Sequence, residues 1–111
     1  METAPIFMEK QMPKAYVVAE IQVTNPDGYA DYLPLSTASL EQYGGTFLVR
    51  GGLREQKEGE DAQHNAGWRT VITEFPSMEQ ARKWYESVEY TGARAIRQEH
   101  SIGRLLIVEG T

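Results

Sequence analysis

Apolar and polar positions alternate from Lys14 to Thr24, with Ala15, Val17, Ala19, Ile21 and Val23 on one face and Tyr16, Val18, Glu20 and Gln22 on the other. A period of two over this length predicts a β-strand, and its second face is mixed rather than polar. The period then changes. Tyr29, Leu33, Ser36, Leu40 and Tyr43 recur at spacings of three and four, which predicts one helical stripe. Asn25-Pro26-Asp27 supplies its start: an N-cap, a proline at the first helical position and an acid favoured by the helix dipole. Pro34 interrupts the run and predicts a kink or two shorter helices. Gly44 stands where a left-handed residue closes a helix.

Thr46 to Arg50 is the second strand, with Gly51-Gly52 ending it or forming a bulge. Leu53 to Gly67 is acidic and without period, an exposed loop between two hairpin strands with ragged strand continuations expected around Leu53 to Gln56. Trp68 to Phe75 is the third strand. Pro76-Ser77-Met78-Glu79-Gln80 has the spacing of a capping box and opens a helix, with Met78, Ala81, Tyr85 and Val88 as its expected buried stripe and Trp84 beside it. A further helical stretch runs from Glu89-Tyr90 to about His100, weakened by Gly92. Gly103 to Glu109 is the last strand, with Leu105 and Ile107 on one face and Leu106 and Val108 on the other.

The order β-α-β-β-α-β is the split βαβ arrangement, an α+β, ferredoxin-like fold with a four-stranded antiparallel sheet. Right-handed crossovers put both helical layers on one side of the sheet. The other side carries Tyr16 and Val18 together with either the Leu105 or the Leu106 set. Leaving it in water costs roughly 25 cal/mol for each Å² of apolar area. A second copy packed sheet on sheet is the simplest cover, so a homodimer is expected.

Composition narrows the partners. The 111 residues suffice for one domain, expected over 14–111 behind a flexible arm at 1–13. Eleven Lys and Arg against sixteen Asp and Glu give a net charge of −5, which argues against a nucleic-acid backbone or an anionic membrane as partner. Cysteine is absent, which excludes disulfides and thiolate chemistry. No apolar run approaches the roughly 20 residues of a membrane span, and Met1 to Pro13 lacks the apolar region of a signal peptide. A cytoplasmic location is expected.

Tyr43-Gly44-Gly45, Phe47-Leu48-Val49-Arg50-Gly51-Gly52, Glu74-Phe75-Pro76-Ser77, Ala81, Trp84-Tyr85, Ser87, Glu89-Tyr90, Arg97 and Val108-Glu109-Gly110 together resemble the domain-of-unknown-function family numbered 1330. The likeness covers Lys14 to Gly110. It implies the dimeric α+β barrel superfamily, whose members include cofactor-independent monooxygenases, small-ring isomerases, haem-degrading enzymes and non-catalytic proteins. Activity therefore does not follow from fold. The chain departs from the family pattern in its acidic loop, Glu58 to Asn65, and its N-terminal arm.

Six residues could carry chemistry. Arg50, between an apolar run and two glycines, is a candidate anion clamp, against the alternative of an ion pair with Glu20, Glu74 or Glu109. Tyr85, Tyr90 and Arg97, with Trp84, could line an aromatic pocket with a cationic end, or simply belong to the core. Glu74 and His100 are weak candidates for a general base. His64, with Glu60 and Asp61, has no recognised metal spacing, and neither metal nor cofactor is expected. The leading expectation is a homodimer binding a small anionic or aromatic organic molecule between sheet and helices. The alternatives are a cofactor-independent oxygenase or isomerase-like enzyme, and a non-catalytic structural dimer.

Overall fold

The structure, a computed structural model, describes residues 12–59 and 67–111. The N-terminal arm up to residue 11, and the part of the acidic loop that holds Glu60, Asp61 and His64, lie outside the described residues. Strands β1 (Ala15–Val23), β2 (Thr46–Arg50), β3 (Trp68–Phe75) and β4 (Ser101–Glu109) form one sheet in the order β2-β3-β1-β4. Every neighbouring pair is antiparallel. Helices α1 (Pro26–Tyr29), α2 (Tyr32–Gln42), α3 (Met78–Glu86) and α4 (Val88–His100) complete the chain. This is the expected ferredoxin-like α+β fold. No described helix is long and apolar enough to cross a membrane.

The register assigns the faces. Val17 lies opposite Thr73 and Ile107, and Val18 opposite Ile72 and Leu106. Ala15, Val17, Ala19 and Ile21 are buried, as are Phe75 and Thr73, so this face carries the helices. The core gathers there around Tyr29, Tyr32, Leu40, Trp84 and Tyr90. The outer face bears Tyr16, Val18 and Ile72 at its centre. Leu106 and Val108 flank them, 47% and 46% exposed.

The long helical run is two helices, and Pro34 does not kink either. It falls in the first turn of α2, where its missing N–H has no intrahelical partner to lose. Asn25 caps α1 through a bond from the Gly28 amide. The break at Ala30-Asp31 rotates the buried stripe: Tyr32, Ser36, Ser39 and Leu40 face inward, while Leu33 is exposed. Gly44 stands at C′ with φ +82°, and the bonds Gly45 N–H to Leu40 C=O and Gly44 N–H to Glu41 C=O make a Schellman closure.

Four further details differ from expectation. Ser77 caps α3 through the Gln80 amide, but the Gln80 side chain donates to the Tyr43 carbonyl, so only half of the capping box forms. Val88 is exposed rather than buried, because α3 ends at Glu86. Ser87 turns extended and caps α4 through the Tyr90 amide, which puts Val88 out of phase with α3. Residues 53–56 are not strand, and β4 begins two residues early, at Ser101.

Gly103 permits that early start. Its φ is +145°, and a Cβ there would lie 2.1 Å from the Glu20 carbonyl oxygen and 2.8 Å from Ile21 Cα. Gly92, within α4, has nothing within 4 Å of a Cβ. Gly103→Ala is therefore expected to destabilise the fold by about 2 kcal/mol or more, and Gly92→Ala to stabilise it by about 0.5–1 kcal/mol. Urea denaturation of both variants checks this, and equal midpoints would contradict it.

Candidate functional site

A bulge between Phe47 and Val49 shapes the site. Residues three apart on a regular strand face opposite ways, yet Phe47 pairs with Thr73 and Arg50 with Val71, both on the helix-facing side. Arg50 is thereby turned under α2. Its guanidinium stands 4.1 Å from the Phe47 ring centroid and donates to Thr37 Oγ1 at 3.2 Å. The expected ion pair with Glu20, Glu74 or Glu109 does not form. Glu20 lies 3.7 Å from both Arg54 and Arg104, and Glu74 lies 2.7 Å from Lys14.

Between the sheet and α2 is a cavity of about 50 Å³. Its floor is Val17, Ala19, Ile21 and Val71, and its roof includes Tyr32, Ser36 and Leu40. Three guanidinium side chains, Arg50, Arg69 and Arg97, line it, and no carboxylate does among the described residues. Arg97 comes from the last turn of α4 and is only 7% exposed. Its Nε donates to the Tyr90 hydroxyl at 3.3 Å, and its backbone carbonyl accepts from the Ser101 hydroxyl. Burial works against its charge, but the Tyr90, Tyr32 and Tyr85 phenols outweigh that, and its pKa lies above the usual arginine value. The cation stays charged.

Arg69 and Thr73 lie on the helix-facing side of β3, two positions either side of Val71. Arg69 Nε and Thr73 Oγ1 are both buried without a hydrogen-bond partner. Gly51, at φ +72°, leaves room for this arginine: a Cβ there would come within 3.0 Å of Arg69 Nη2. Gly51 thus makes space for a guanidinium. Both orphaned polar groups stand on one strand and belong to residues that line one cavity.

The aromatic part is split. Tyr90 is 0% exposed and stacks on Trp84 at 4.1 Å between centroids. Its hydroxyl lies 2.8 Å from that of Tyr32, which lines the cavity where Tyr90 does not. Tyr85 sits outside the cavity, in an open groove that it shares with Arg97, Gln98, Ile102 and Arg104, its ring under Arg94 at 4.8 Å. Glu74 is on the outer face of the sheet, beside Tyr16. His100 packs on Gly28, and its Nδ1 is 3.2 Å from the Asn25 amide nitrogen, at the junction of α4 and α1. Neither lines the cavity. Among the described residues no three His, Cys, Asp or Glu side chains stand close enough to hold a metal ion.

Of the six sequence candidates, then, the structure brings Arg50 and Arg97 together at the cavity, with Tyr90 directly behind. Arg69, Thr73 and Tyr32 are the residues that sequence reasoning missed. The alternation Arg69-Val71-Thr73-Phe75 was the available signal for two of them. It puts a cation and a hydroxyl on a strand's buried face.

A sequence model described as "Domain of unknown function (DUF1330)" matches residues 14–111. Among curated proteins no sequence relative is found. The chain is similar to a solved protein of unknown function from Rhodopseudomonas palustris, RPA0582, with 20% identity and a TM-score of 0.68, covering 100% of this chain and 95% of that one. It is similar in fold to SnoaB, a cofactor-independent oxygenase from Streptomyces nogalater, at 12% identity and a TM-score of 0.62, over 89% of this chain and 94% of that one. A conserved protein from Methanosarcina mazei Go1 aligns at 16% identity and a TM-score of 0.61, over 95% and 99% of the two chains.

Burial of the phenols gives the site a titration signature. Desolvation, reinforced by Tyr32, pushes Tyr29 up from 10.0 to about 12, and burial pushes Tyr90 higher still. An unfolded tyrosine releases its proton near pH 10, while these two keep theirs when folded. Stability is therefore full below pH 10 and falls between pH 10 and 12, with a slope contribution of roughly 1.4 kcal/mol per pH unit for each phenol. Urea midpoints across this range should fall less steeply for Tyr29→Phe, and an unaltered slope would count against the assignment.

Proposed function

The chain belongs to the family of domains of unknown function described as DUF1330, and from the cavity just described we propose that it binds a small organic anion, foremost a carboxylate, between sheet and helices. One observation carries this reading: Arg97 is nearly buried, charged and without a carboxylate partner among the described residues. Uncompensated buried charge is costly, by about 3–5 kcal/mol when a buried pair is broken. Arg69, half-buried with its Nε unpartnered, adds to that demand, and the exposed Arg50 adds positive charge at the same cavity. A planar oxyanion matches a guanidinium fork and relieves the cost on binding.

The volume bears on ligand size. About 50 Å³ is well below the roughly 150 Å³ that accepts a benzene ring, which favours a ligand of few heavy atoms over an aromatic one. Glu74 and His100 stand away from the cavity, which weakens the general-base version of an enzyme. The oxygenase reading draws on the printed activity of SnoaB, whose likeness to this chain is one of fold. The reading of the polar residues as closed ion pairs within a filled core accounts for Glu74 but leaves Arg69 and Arg97 unexplained.

Removing an unpaired buried charge separates binding from stability. In a thermal-shift series with sodium acetate, glycolate, oxalate and benzoate against sodium chloride, a carboxylate at ten times its Kd stabilises by roughly 1.4 kcal/mol, several degrees for a domain of this size. Arg97→Met should abolish that shift while leaving the unliganded midpoint unchanged or higher. No shift with any carboxylate at millimolar concentration would overturn the proposal.

We also propose that the protein is a homodimer packed through the outer face of the sheet. Tyr16, Val18, Ile72, Leu106 and Val108 form an apolar centre there, and Lys14, Glu74, Glu20 and Arg104 supply charges of both signs on the same face. That pattern complements itself under a two-fold axis. Sedimentation at micromolar concentration should give twice the chain mass, and Leu106→Asp should give the monomer. A monomeric wild-type protein would refute the dimer.

A further inference from the structure

The hydroxyl pair Tyr32–Tyr90 has a direction, and the direction says what the cavity offers its ligand. Arginine only donates, so the Tyr90 oxygen accepts from Arg97 Nε. The Tyr90 ring is 0% exposed, and its hydroxyl has two neighbours, Arg97 Nε and the Tyr32 oxygen at 2.8 Å. Were Tyr32 the donor to Tyr90, the Tyr90 proton would have no acceptor in a dry site, at a cost of about 1–3 kcal/mol. Tyr90 therefore donates to Tyr32. The Tyr32 proton is left without an acceptor among the described residues, and Tyr32 lines the cavity.

We infer that Tyr32 is the ligand-contacting donor of the site: a one-way chain, Arg97 Nε–H to Tyr90 O–H to Tyr32 O–H, ends on an oxygen of the bound carboxylate. This rests on the anion-binding reading of the cavity and deepens it. Each link polarises the next, so the guanidinium charge strengthens the terminal phenol as a donor. Tyr90 touches no ligand and acts as a positioning residue. The phenol O–H and the guanidinium N–H groups beside it are donors, and the unpartnered Thr73 hydroxyl can donate as well, so the array favours a ligand group that only accepts. A carboxylate fits. The isosteric primary amide fits less well, because its NH₂ would face the phenol and guanidinium donors.

Isothermal titration with acetate and acetamide, together with ¹³Cζ resonances of tyrosine-labelled protein, tests this. Acetate should bind the wild type, and acetamide should bind at least tenfold more weakly. Tyr32→Phe should weaken acetate roughly ten- to hundredfold, as expected for a hydrogen bond to a charged group. Saturating acetate should move the Tyr32 Cζ resonance downfield as its proton is drawn toward the carboxylate, and Tyr90→Phe should reduce that displacement. A purely structural Tyr90 would leave the displacement unaltered, and that outcome would overturn the chain. Should Tyr32→Phe fail to fold, the wild-type resonance decides alone, an unmoved Cζ at saturation being contrary to the inference. Acetate bound equally well by Tyr32→Phe overturns the role of Tyr32 and leaves the anion site standing. Failure of the wild type to bind acetate overturns both.

Discussion

The helix layer is arranged around the ring of Tyr90. That ring is wholly buried, stacks on Trp84 of α3, meets Tyr32 of α2 edge-on and shares a hydrogen bond with Arg97 one helical stretch along α4. Three helices are thus registered by one side chain, with its hydroxyl satisfied on both sides. A phenol suits this role because its apolar body packs like any core aromatic while its oxygen must find partners when dry. Those partners are what bring a guanidinium and a second phenol to the edge of the cavity.

The same arrangement leaves a cost unbalanced. Arg97, Arg69 Nε and the Thr73 hydroxyl are buried with less hydrogen bonding or charge compensation than a core ordinarily provides. Close packing of α2 onto the sheet would fill the gap, yet α2 rests chiefly on α4 and spans the cavity as a roof. These costs fall in one place, on two arginines and a threonine that line the same cavity. Elsewhere among the described residues, caps at Asn25, Ser77 and Ser87, the Schellman closure at Gly44-Gly45 and the alternation of β1 all agree with the fold they serve.

Most of the fold was legible in the sequence because its signals are local. Alternation along β1, the glycine pair after Tyr43 and serine N-caps act over a few residues, and they place strands and helices to within about two positions. Where reading went astray, a non-local choice intervened. Pro34 left a kink and two shorter helices open, and the chain takes the second, with the break at Ala30-Asp31. Val88 fits the stripe of α3 until Ser87 ends that helix and restarts the chain in another phase.

The site divides the same way. By itself the sequence determined only the alternation that sets Arg69 on one face of a strand with Val71, Thr73 and Phe75, and a helical stretch that carries Arg97. It likewise determined a ferredoxin-like sheet with one covered side and one apolar open side. Only the tertiary structure decided which cations meet. The bulge after Phe47 turns Arg50 inward, the Gly51 backbone makes room for Arg69, and the Tyr90 hydroxyl holds Arg97 at the cavity wall. It also decided that Glu74 and His100 stay outside. A strand's face assigns a residue to one side of a sheet, whereas convergence on a point depends on register, bulges and helix phase, and those emerge only when the whole chain packs.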